Sequence, residues 1–585
     1  MRKIIFLFGI ICLVSCQQGV RVDMVFTQSF SEQWLFRAGT GAGRHYEHPN
    51  INDSTWTVVS GNQTLQEQGQ TLENGFGWYR KTFFLSDSMQ MAIKAADAAI
   101  LHLGRLGAAD KVFLNGRMAG KTGDFPDNYM AYHNEERNYV VPAEYFNPTG
   151  KNVIAIQFFD GKSIGGFLDD TPFTISSALT TDKMLMAVRV MSDNFIFTNE
   201  NPSLRVAIAN RNKWPIQGYV TVNLTTDDSK KTVQRDSVLV ALNPNQKAVI
   251  PFTIKKIKPG FFRYTVSFYE GNNNLAVVRK LNIGYEPEKI ISPVDTLVGF
   301  NAFWANNLKE LAQIAPEYQL TQIPEFSEGD YTIYKVEMRS LGNELISGYY
   351  SAPKEPGKYP VIVEYMGYGS KPYPPTQVFD GFSYFILSIR GQGLNEPDNR
   401  FGEWITYGLK DKNRYYYRGA YCDAVRAIDF VCSRAATDTS KIVVRGGSQG
   451  GALSFVAAAL DKRVKAAAPS IPFLSDFRDY FVIAPWTRGE MEKYLEQQPE
   501  VSWNNIYDVL SYFDIKNLAP RIKCPLLMGM GVQDEVCPPH INFAAYNQVV
   551  SEKEWIAYPE NGHSVGKDFY EKQILFFKQH LKIED

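Results

Sequence analysis

The sequence carries almost no net charge, and it has few histidines and few cysteines. Its 61 Lys and Arg residues balance 62 Asp and Glu residues, which leaves a net charge of −1 over 585 residues. This balance gives no reason to expect a nucleic acid or an acidic partner. The six cysteines show no CxxC spacing and no partnered histidine, so the sequence predicts no metal site.

Four of the cysteines, Cys422, Cys432, Cys524 and Cys537, lie in the last third of the chain, in apolar surroundings. We expect them to be buried thiols. An exported compartment would permit a disulfide, but the spacing of the cysteines assigns none.

Long hydrophobic runs are also scarce, and the one at the N-terminus is predicted to be a targeting segment. Arg2 and Lys3 precede an apolar run at residues 4–14, which is too short to span a bilayer. The run ends in LVSC, which resembles a bacterial lipobox, so we expect residues 1–16 to be a lipoprotein signal peptide with Cys16 as the lipidated residue. Gln17 at the next position favours the outer membrane of the cell envelope. The alternative is an ordinary cleaved signal peptide with an incidental cysteine.

Internal repeats of 20 to 50 residues are absent from the sequence, which disfavours a propeller or a solenoid. The length nevertheless requires several domains. Short alternating runs broken by Gly, Asn and Asp predict an antiparallel β domain over residues 17–180. Strand-sized runs at the spacing of a sandwich predict an immunoglobulin-like β-sandwich linker over residues 181–288. Aromatic residues make up 14% of the chain, which suits β-rich cores and also carbohydrate-facing surfaces.

Residues 289–585 have a different pattern, in which apolar strands alternate with amphipathic helices. This pattern predicts a mostly parallel sheet covered on both faces. Ser448 lies in GGSQGG, between the apolar run KIVVRG and a run of small residues. A strand, a tight turn and a helix around G-x-S-x-G form a nucleophile elbow, where Gly446 and Gly450 would let the strand and the helix approach closely. A plain glycine-rich turn is the alternative.

A nucleophilic serine requires a base and an acid. His563 follows the last predicted strand in a Gly/Asn loop and is the predicted base, ahead of His540. Asp534 follows the penultimate strand and is the predicted acid. Hydrolases whose serine lies between a strand and a helix carry the three residues in the order Ser, Asp, His along the chain. Asp476 is the alternative acid, since some hydrolases of this type take their acid one strand earlier.

Two backbone N–H groups are candidates for an oxyanion hole. The N–H of Gln449 opens the helix after the nucleophile, and the N–H of Tyr368 lies in the loop after an earlier strand, in VIVEYMGYGS. Trp486 and Trp503 lie in a later stretch, where they would either stack on sugar rings or pack within a helical cap.

Two families resemble parts of this chain. INDSTWTVV, GFGWYRKTF, VFLNGRMAGKTG and GKNVIAIQFFD follow the order of the sugar-binding jelly-roll domain of family 2 glycoside hydrolases, which implies a galactose-binding-like jelly-roll. Residues 298–580 resemble the acetyl xylan esterase/cephalosporin C deacetylase family through a set of motifs: FNAFWANNLKEL, GNELISGYYSAPK, RGQG, YYYRGAYCDAVRAIDFVCSR, GGSQGG, ALDKRVKAAAPSIPFLSDF and GVQDEVCPP.

The second resemblance implies an α/β-hydrolase that removes acetyl groups from sugar hydroxyls without a cofactor. It assigns the catalytic roles to Ser448, Asp534 and His563, and the oxyanion donors to Tyr368 and Gln449. Arg390 and Gln392 would then support the site structurally. The sequence departs from the family at Ser564, where members usually have Glu after the catalytic His.

The expected partner is therefore an acetylated carbohydrate, with membrane contact only through the lipid anchor. Two other functions stay open at this point. A serine peptidase of the prolyl oligopeptidase type also has a GGSxGG turn, but it usually carries a repeated β domain. A non-catalytic glycan-binding protein is the other alternative, although the complete order of Ser, Asp and His argues against it.

Overall fold

In the computed structural model, residues 27–583 are described except for short gaps at 31–32, 62, 97, 107–108, 124, 127–135, 161–165, 168–172, 178–183, 199, 213–214, 256, 271–273, 328 and 376–380. The predicted signal peptide and Cys16 lie outside the described residues. In the part of the chain that is described, no helix combines the length and the apolar composition needed to cross a membrane.

The first region of the chain contains two antiparallel sheets. Their strands are β1 Thr27–Ser29, β2 Gln33–Ala38, β3 Thr57–Ser60, β4 Phe76–Phe83, β5 Ala98–Arg105, β6 Ala109–Leu114, β7 Arg117–Thr122, β8 Glu136–Pro142, β9 Asn152–Phe159 and β10 Thr174–Ser177, with one helix, α1 Asp87–Ala96, between β4 and β5. The sheet orders are β1-β10-β5-β8 and β3-β2-β4-β9-β6-β7.

One hydrophobic cluster joins these two sheets. In β9 the alternate residues Ile154, Ile156 and Phe158 are fully buried in this cluster, as the period of a strand requires, while Ala155 on the other face is buried in a separate cluster. Every residue of the cluster belongs to this first region. The first region is therefore a β-sandwich that closes its own core.

The second region is also all-β. Its strands are β11 Met184–Val190, β12 Ile196–Phe197, β13 Ser203–Asn210, β14 Ile216–Thr226, β15 Thr232–Leu242, β16 Lys247–Thr253, β17 Gly260–Glu270 and β18 Asn274–Tyr285. They form sheets in the orders β11-β13-β16 and β12-β18-β17-β14-β15, with a shared core between them. We call this region the second sandwich.

The remainder of the chain alternates strands and helices. The strands are β19 Gln319–Gln322, β20 Tyr331–Ser340, β21 Glu344–Pro353, β22 Tyr359–Tyr365, β23 Ser383–Ser388, β24 Thr437–Gly447, β25 Val464–Ser470, β26 Leu526–Gly531 and β27 Lys553–Tyr558. The helices are α2 Phe300–Ala312, α3 Tyr416–Cys432, α4 Gln449–Leu460, α5 Phe477–Ile483, α6 Pro485–Gln497, α7 Trp503–Leu510, α8 Ile515–Leu518, α9 Pro539–Tyr546 and α10 Asp568–Leu581.

These strands form one nine-stranded sheet in the order β19-β20-β21-β23-β22-β24-β25-β26-β27. Six neighbouring strands of this sheet run parallel, namely β23, β22, β24, β25, β26 and β27. The other three strands, β19, β20 and β21, pair antiparallel at one edge. Successive residues of β22 are buried on opposite faces: Val361 and Val363 pack in one cluster and Ile362 in another. Both faces of the sheet are thus covered, which explains the continuous apolar runs in the sequence.

Candidate active site

The turn that carries Ser448 lies between β24 and α4. Ser448 has φ 57° and ψ −118°, a conformation that residues with a side chain rarely adopt. A Cβ on Gly450 would lie 1.9 Å from the carbonyl oxygen of Tyr365, so the start of α4 rests directly on the end of β22. Only glycine permits this approach. Gly446 is equally confined, because its Cβ would lie 2.5 Å from the same oxygen.

Asp534 and His563 meet at the same edge of the sheet. Asp534 follows β26 and His563 follows β27, and the carboxyl ends of parallel strands share one edge. Nδ1 of His563 lies 2.8 Å from Oδ2 of the fully buried Asp534. Because a carboxylate only accepts hydrogen bonds, Nδ1 carries the proton and Nε2 is left as the basic nitrogen.

The candidate acid, Asp534, is oriented by the backbone of its own loop. The N–H groups of Val536 and Cys537 donate to Oδ1 of Asp534 at 2.8 and 2.9 Å. We call residues 532–538, between β26 and α9, the acid loop, and the turn at Ser448 the nucleophile turn. The thiol of Cys537 lies 4.0 Å from the hydroxyl of Ser448 and so connects the acid loop to the nucleophile turn. Burial raises the pKa of Cys537 well above its usual value, so this neighbour of the serine is a neutral thiol.

Two backbone N–H groups in the segments named from the sequence have no acceptor among the described residues. In the described residues, neither the N–H of Tyr368 nor that of Gln449 has a hydrogen-bond acceptor. Gln449 is the first residue of α4, where the N–H groups have no intrahelical partner. The strands that precede these two residues, β22 and β24, are neighbours in the sheet.

A pair of buried amides ties these two segments together. Nε2 of Gln449 donates to Oε1 of Gln392 at 2.9 Å, and Nε2 of Gln392 donates back to Oε1 of Gln449 at 3.2 Å. The same Oε1 of Gln392 accepts the N–H of Gly369, at 2.9 Å. The loop that carries Tyr368 is thereby fastened to the turn that carries Gln449.

Three partners of this network were not identified from the sequence. The hydroxyl of Tyr417 donates to Gln449, and the hydroxyl of Tyr416 donates to the carbonyl of Arg390. Burial raises the pKa values of both tyrosines, which keeps the hydroxyls protonated as donors. Asp423 holds the guanidinium of Arg390 through two bonds of 2.6 and 2.8 Å. The sequence did contain a signal for Asp423, which is a carboxylate within a largely apolar stretch of α3, because a buried charge requires a partner.

The two candidate tryptophans have different surroundings. Trp486 is 38% exposed, and its Nε1 donates to the carbonyl of Val536 at 3.1 Å, beside the acid loop. Trp503 packs against Tyr507 and Phe481, with ring centroids 5.7 Å away in both cases. Trp486 therefore borders the site, whereas Trp503 packs among α5 and α7.

Asp476 and His540, the alternatives to Asp534 and His563, lie in another network. Asp476 forms a buried ion pair with Lys516 at 2.8 Å. His540 lies between Asp479 and Asp227, at 3.2 and 3.1 Å.

The ligand atoms of Asp476, Asp479 and His540 lie within 4.8 Å of one another, as those of a metal site would. The ammonium of Lys516 and the imidazolium of His540 already balance these carboxylates. The donor set is therefore that of an ion-pair network.

The other residues named from the sequence have ordinary roles. Ser564 lies after the base, where its hydroxyl accepts a hydrogen bond from Asn561 at 3.1 Å. The four cysteines of this region are free thiols: Cys422, Cys432, Cys524 and Cys537. All but Cys432 are buried.

Together, the fold and the site define a hydrolase-like domain with a strained serine turn and an Asp–His pair at the carboxyl edge of its sheet. The family model for acetyl xylan esterases, AXE1, matches residues 288–581. The chain belongs to the acetyl xylan esterase family. It is accordingly a carboxylic ester hydrolase of the carbohydrate esterase class.

Three known proteins are similar to parts of this chain. The acetyl esterase Axe7A of Xylanibacter ruminicola is 30% identical over 353 residues, which are 58% of this chain and 78% of that protein. The acetyl xylan esterase structure from Paenibacillus sp. R4 is 32% identical and covers 50% of this chain and 98% of its own, with a TM-score of 0.47. A β-glucuronidase of Bacteroides uniformis aligns with 95% of this chain and 58% of its own at 10% identity, with a TM-score of 0.30.

Proposed function

We propose that Ser448, His563 and Asp534 form a catalytic triad that removes O-acetyl groups from a polysaccharide or an oligosaccharide. The observation that carries this proposal is the 2.8 Å bond between His563 and the buried Asp534, at the sheet edge where Ser448 occupies its strained turn. The order of the three residues along the chain is that of other hydrolases with this strand–turn–helix serine.

The chemistry follows from the geometry of these side chains. Oγ of Ser448 attacks the acetyl carbonyl carbon while Nε2 of His563 takes its proton. The tetrahedral intermediate collapses, the sugar oxygen leaves with the proton from His563, and an acetyl-enzyme remains. A water molecule then attacks the acetyl-enzyme, again with His563 as base, and acetate is released. Asp534 stabilises the imidazolium that forms in each half of the reaction.

The N–H groups of Tyr368 and Gln449 are the proposed donors to the oxyanion. Both are free of other acceptors in the described residues, and the Gln392–Gln449 amide pair fixes their segments relative to each other. Donors held in place before the reaction stabilise the developing charge without a cost of reorganisation. Arg390 supports this arrangement from behind, through Asp423 on α3.

Trp486 is the proposed contact for a sugar ring, because its exposed indole borders the acid loop. We call the β-sandwich of the first region, within residues 17–180, the first sandwich. It is proposed to be a galactose-binding-like jelly-roll with a surface that contacts carbohydrate. We propose that residues 181–288 are an immunoglobulin-like linker and that residues 289–585 are the α/β-hydrolase domain.

The proposed location is the outer membrane, with Cys16 carrying the lipid. Metabolic labelling with palmitate tests this anchor. Label should enter the wild-type protein and be absent from Cys16→Ala, and equal label in both would refute the anchor.

The activity is tested by acetate release from a panel of acetylated xylan, acetylated pectin and acetylated oligosaccharides, with wild type beside Ser448→Ala. We expect release by the wild type alone, and the preferred glycan identifies the substrate. Equal release by Ser448→Ala would refute the assigned nucleophile. Cleavage of proline-containing peptides without acetate release would indicate the peptidase alternative.

A further inference from the structure

Several contacts of the second sandwich with the hydrolase domain fall on one segment of that domain. The segment follows β26 and carries Asp534. Its contacts with the second sandwich are Asn282 with Val532 and Gln533, Arg263 with Glu535 at 3.9 Å, Asp227 with His540 at 3.1 Å, and the ring of Phe261 with that of Phe543 at 5.8 Å. The strands and the loop that supply these contacts are therefore grouped around the candidate acid.

Gln533, the residue before Asp534, makes the closest of these contacts. The N–H of Asn282 in β18 donates to Oε1 of Gln533 at 2.7 Å, and Nε2 of Gln533 donates back to the carbonyl of Asn282 at 3.2 Å. The side-chain amide thus pairs with the main chain of β18 as a neighbouring strand would. Nδ2 of Asn282 adds a third bond, to the carbonyl of Val532 at 3.3 Å.

Gln533 also holds the loop that leads to His563. Its Nε2 donates to the carbonyl of Pro559 at 2.6 Å, and its backbone N–H donates to the carbonyl of Asn561 at 2.9 Å. Pro559 and Asn561 lie between β27 and His563. One side chain therefore connects the acid loop, the base loop and the second sandwich.

The acid loop has a second anchor, on the opposite side of Asp534. The hydroxyl of Tyr480 and Nε1 of Trp486 both donate to the carbonyl of Val536, at 2.7 and 3.1 Å. Gln533 and Val536 thus hold the loop on either side of the acid. Replacing the Gln533 side chain removes the side-chain bonds on one side of the acid, while the two bonds to the carbonyl of Val536 remain on the other.

We propose that Gln533 is a positioning residue, held by Asn282 of the second sandwich, that sets the placement of Asp534 relative to His563. The second sandwich is then part of the frame of the active site and not only a linker. This inference rests on the proposed roles of Asp534 and His563. The physical reason is the narrow tolerance of a catalytic hydrogen bond, since a displacement of about 1 Å can lower a rate by about 100-fold.

Gln533→Met tests the proposal, because methionine keeps the length of the side chain and removes its hydrogen bonds. With p-nitrophenyl acetate as substrate, we expect kcat to fall about 10- to 100-fold while KM changes less than twofold. A small ester reports on the catalytic groups and makes few contacts elsewhere. An unchanged kcat would overturn the proposal.

Asn547→Ala is the matched control. We call the interface between the second sandwich and the hydrolase domain the seam. Asn547 in the hydrolase domain also bridges this seam with its side-chain amide, which donates to the carbonyls of Pro287 and Ile290 at 3.0 and 3.1 Å. These bonds lie outside the acid and base loops, so we expect kcat within twofold of wild type. An equal loss in Asn547→Ala would show that general loosening of the seam lowers the rate, and this would also overturn the proposal.

A double-mutant cycle separates positioning of the acid from other effects. If Gln533 acts through Asp534, adding Gln533→Met to Asp534→Asn should lower kcat less than about threefold further. A repeated loss of 10-fold or more in the Asp534→Asn background would show that Gln533 acts by another route. All variants are assayed well below their thermal transitions, so that a loss of folded protein is not read as a loss of rate.

The cycle also separates a failure of the proposed triad from a failure of the positioning role. If Asp534→Asn itself retains full activity, the proposed triad fails. If Asp534→Asn is inactive and Gln533→Met is fully active, the triad stands and only the positioning role fails.

Discussion

The two sides of the active site are built in different ways. In the part of the chain that the structure describes, the contacts of the nucleophile side come from the hydrolase domain: Gly450 lies against β22, and the Gln392–Gln449 pair joins the two proposed oxyanion segments. The acid–base side is held partly from outside, through Gln533 and the second sandwich. We therefore infer that the nucleophile turn depends on one domain, whereas the acid–base geometry depends on the docking of two.

The largest effect is expected on the acid–base side. Asp534→Asn should lower kcat for acetate release by about 10³- to 10⁴-fold, because an amide does not stabilise the imidazolium of His563. The measurement is steady-state kinetics with p-nitrophenyl acetate. Glu535→Gln is the control and should stay within twofold, since Glu535 is exposed. An active Asp534→Asn would contradict the assignment of the acid.

The second prediction concerns the seam between the domains. Phe261 is buried in a cluster that includes hydrolase residues, so Phe261→Ala should cost about 3–5 kcal/mol of unfolding free energy and lower kcat several-fold. Denaturant unfolding and kinetics measure the two effects.

Phe158→Ala in the first sandwich is the matched control. Phe158 is fully buried in a cluster that contains only residues of the first sandwich. Its replacement should destabilise that sandwich and leave kcat within twofold. Equal losses of kcat in both variants would remove the difference that we draw between the two sandwiches.

The third prediction tests the nucleophile side. Gly450→Ala should destabilise the hydrolase domain by about 3 kcal/mol, because the new Cβ would lie 1.9 Å from the carbonyl oxygen of Tyr365. Thermal unfolding monitored by circular dichroism measures the change. Gly489→Ala in α6 is the control, since no atom lies within 4 Å of its Cβ, and it should raise stability by about 0.5–1 kcal/mol. A stable Gly450→Ala would mean that α4 can move away from β22.

The smallest effect is expected at His540, and it should depend on pH. Burial disfavours the imidazolium, but the carboxylates of Asp227 and Asp479 outweigh burial and raise the pKa of His540 to about 10. The folded state therefore binds the proton more tightly than the unfolded state, in which the pKa of histidine is about 6.5. The stabilisation is complete below pH 6.5 and is lost as the pH rises toward 10.

His540→Gln should accordingly cost about 1–3 kcal/mol at pH 6 and clearly less at pH 10. Urea unfolding at the two pH values measures the difference. A cost that grows with pH would contradict the pairing of a charged His540 with Asp227 and Asp479.

The sequence determined the features that depend on contiguous residues. Alternation and apolar runs specified two β regions and a strand–helix region, because the period of a pattern reflects which faces are buried. The Ser448 turn could be predicted for the same reason, since its strand, its glycines and its helix are consecutive. His563 and Asp534 followed from their order after the last strands, and Arg390 and Gln392 from a family resemblance.

Which surfaces meet became evident only from the folded chain. Gln533 and Asn282 are 251 residues apart, and neither the periodicity nor the local composition of either segment records the other. The partners Asp423 and Tyr417 likewise became evident only when α3 was placed behind the turn. The physical reason is that a hydrogen bond between domains depends on the relative placement of two folded surfaces, whereas a strand or a turn depends on the residues of its own segment.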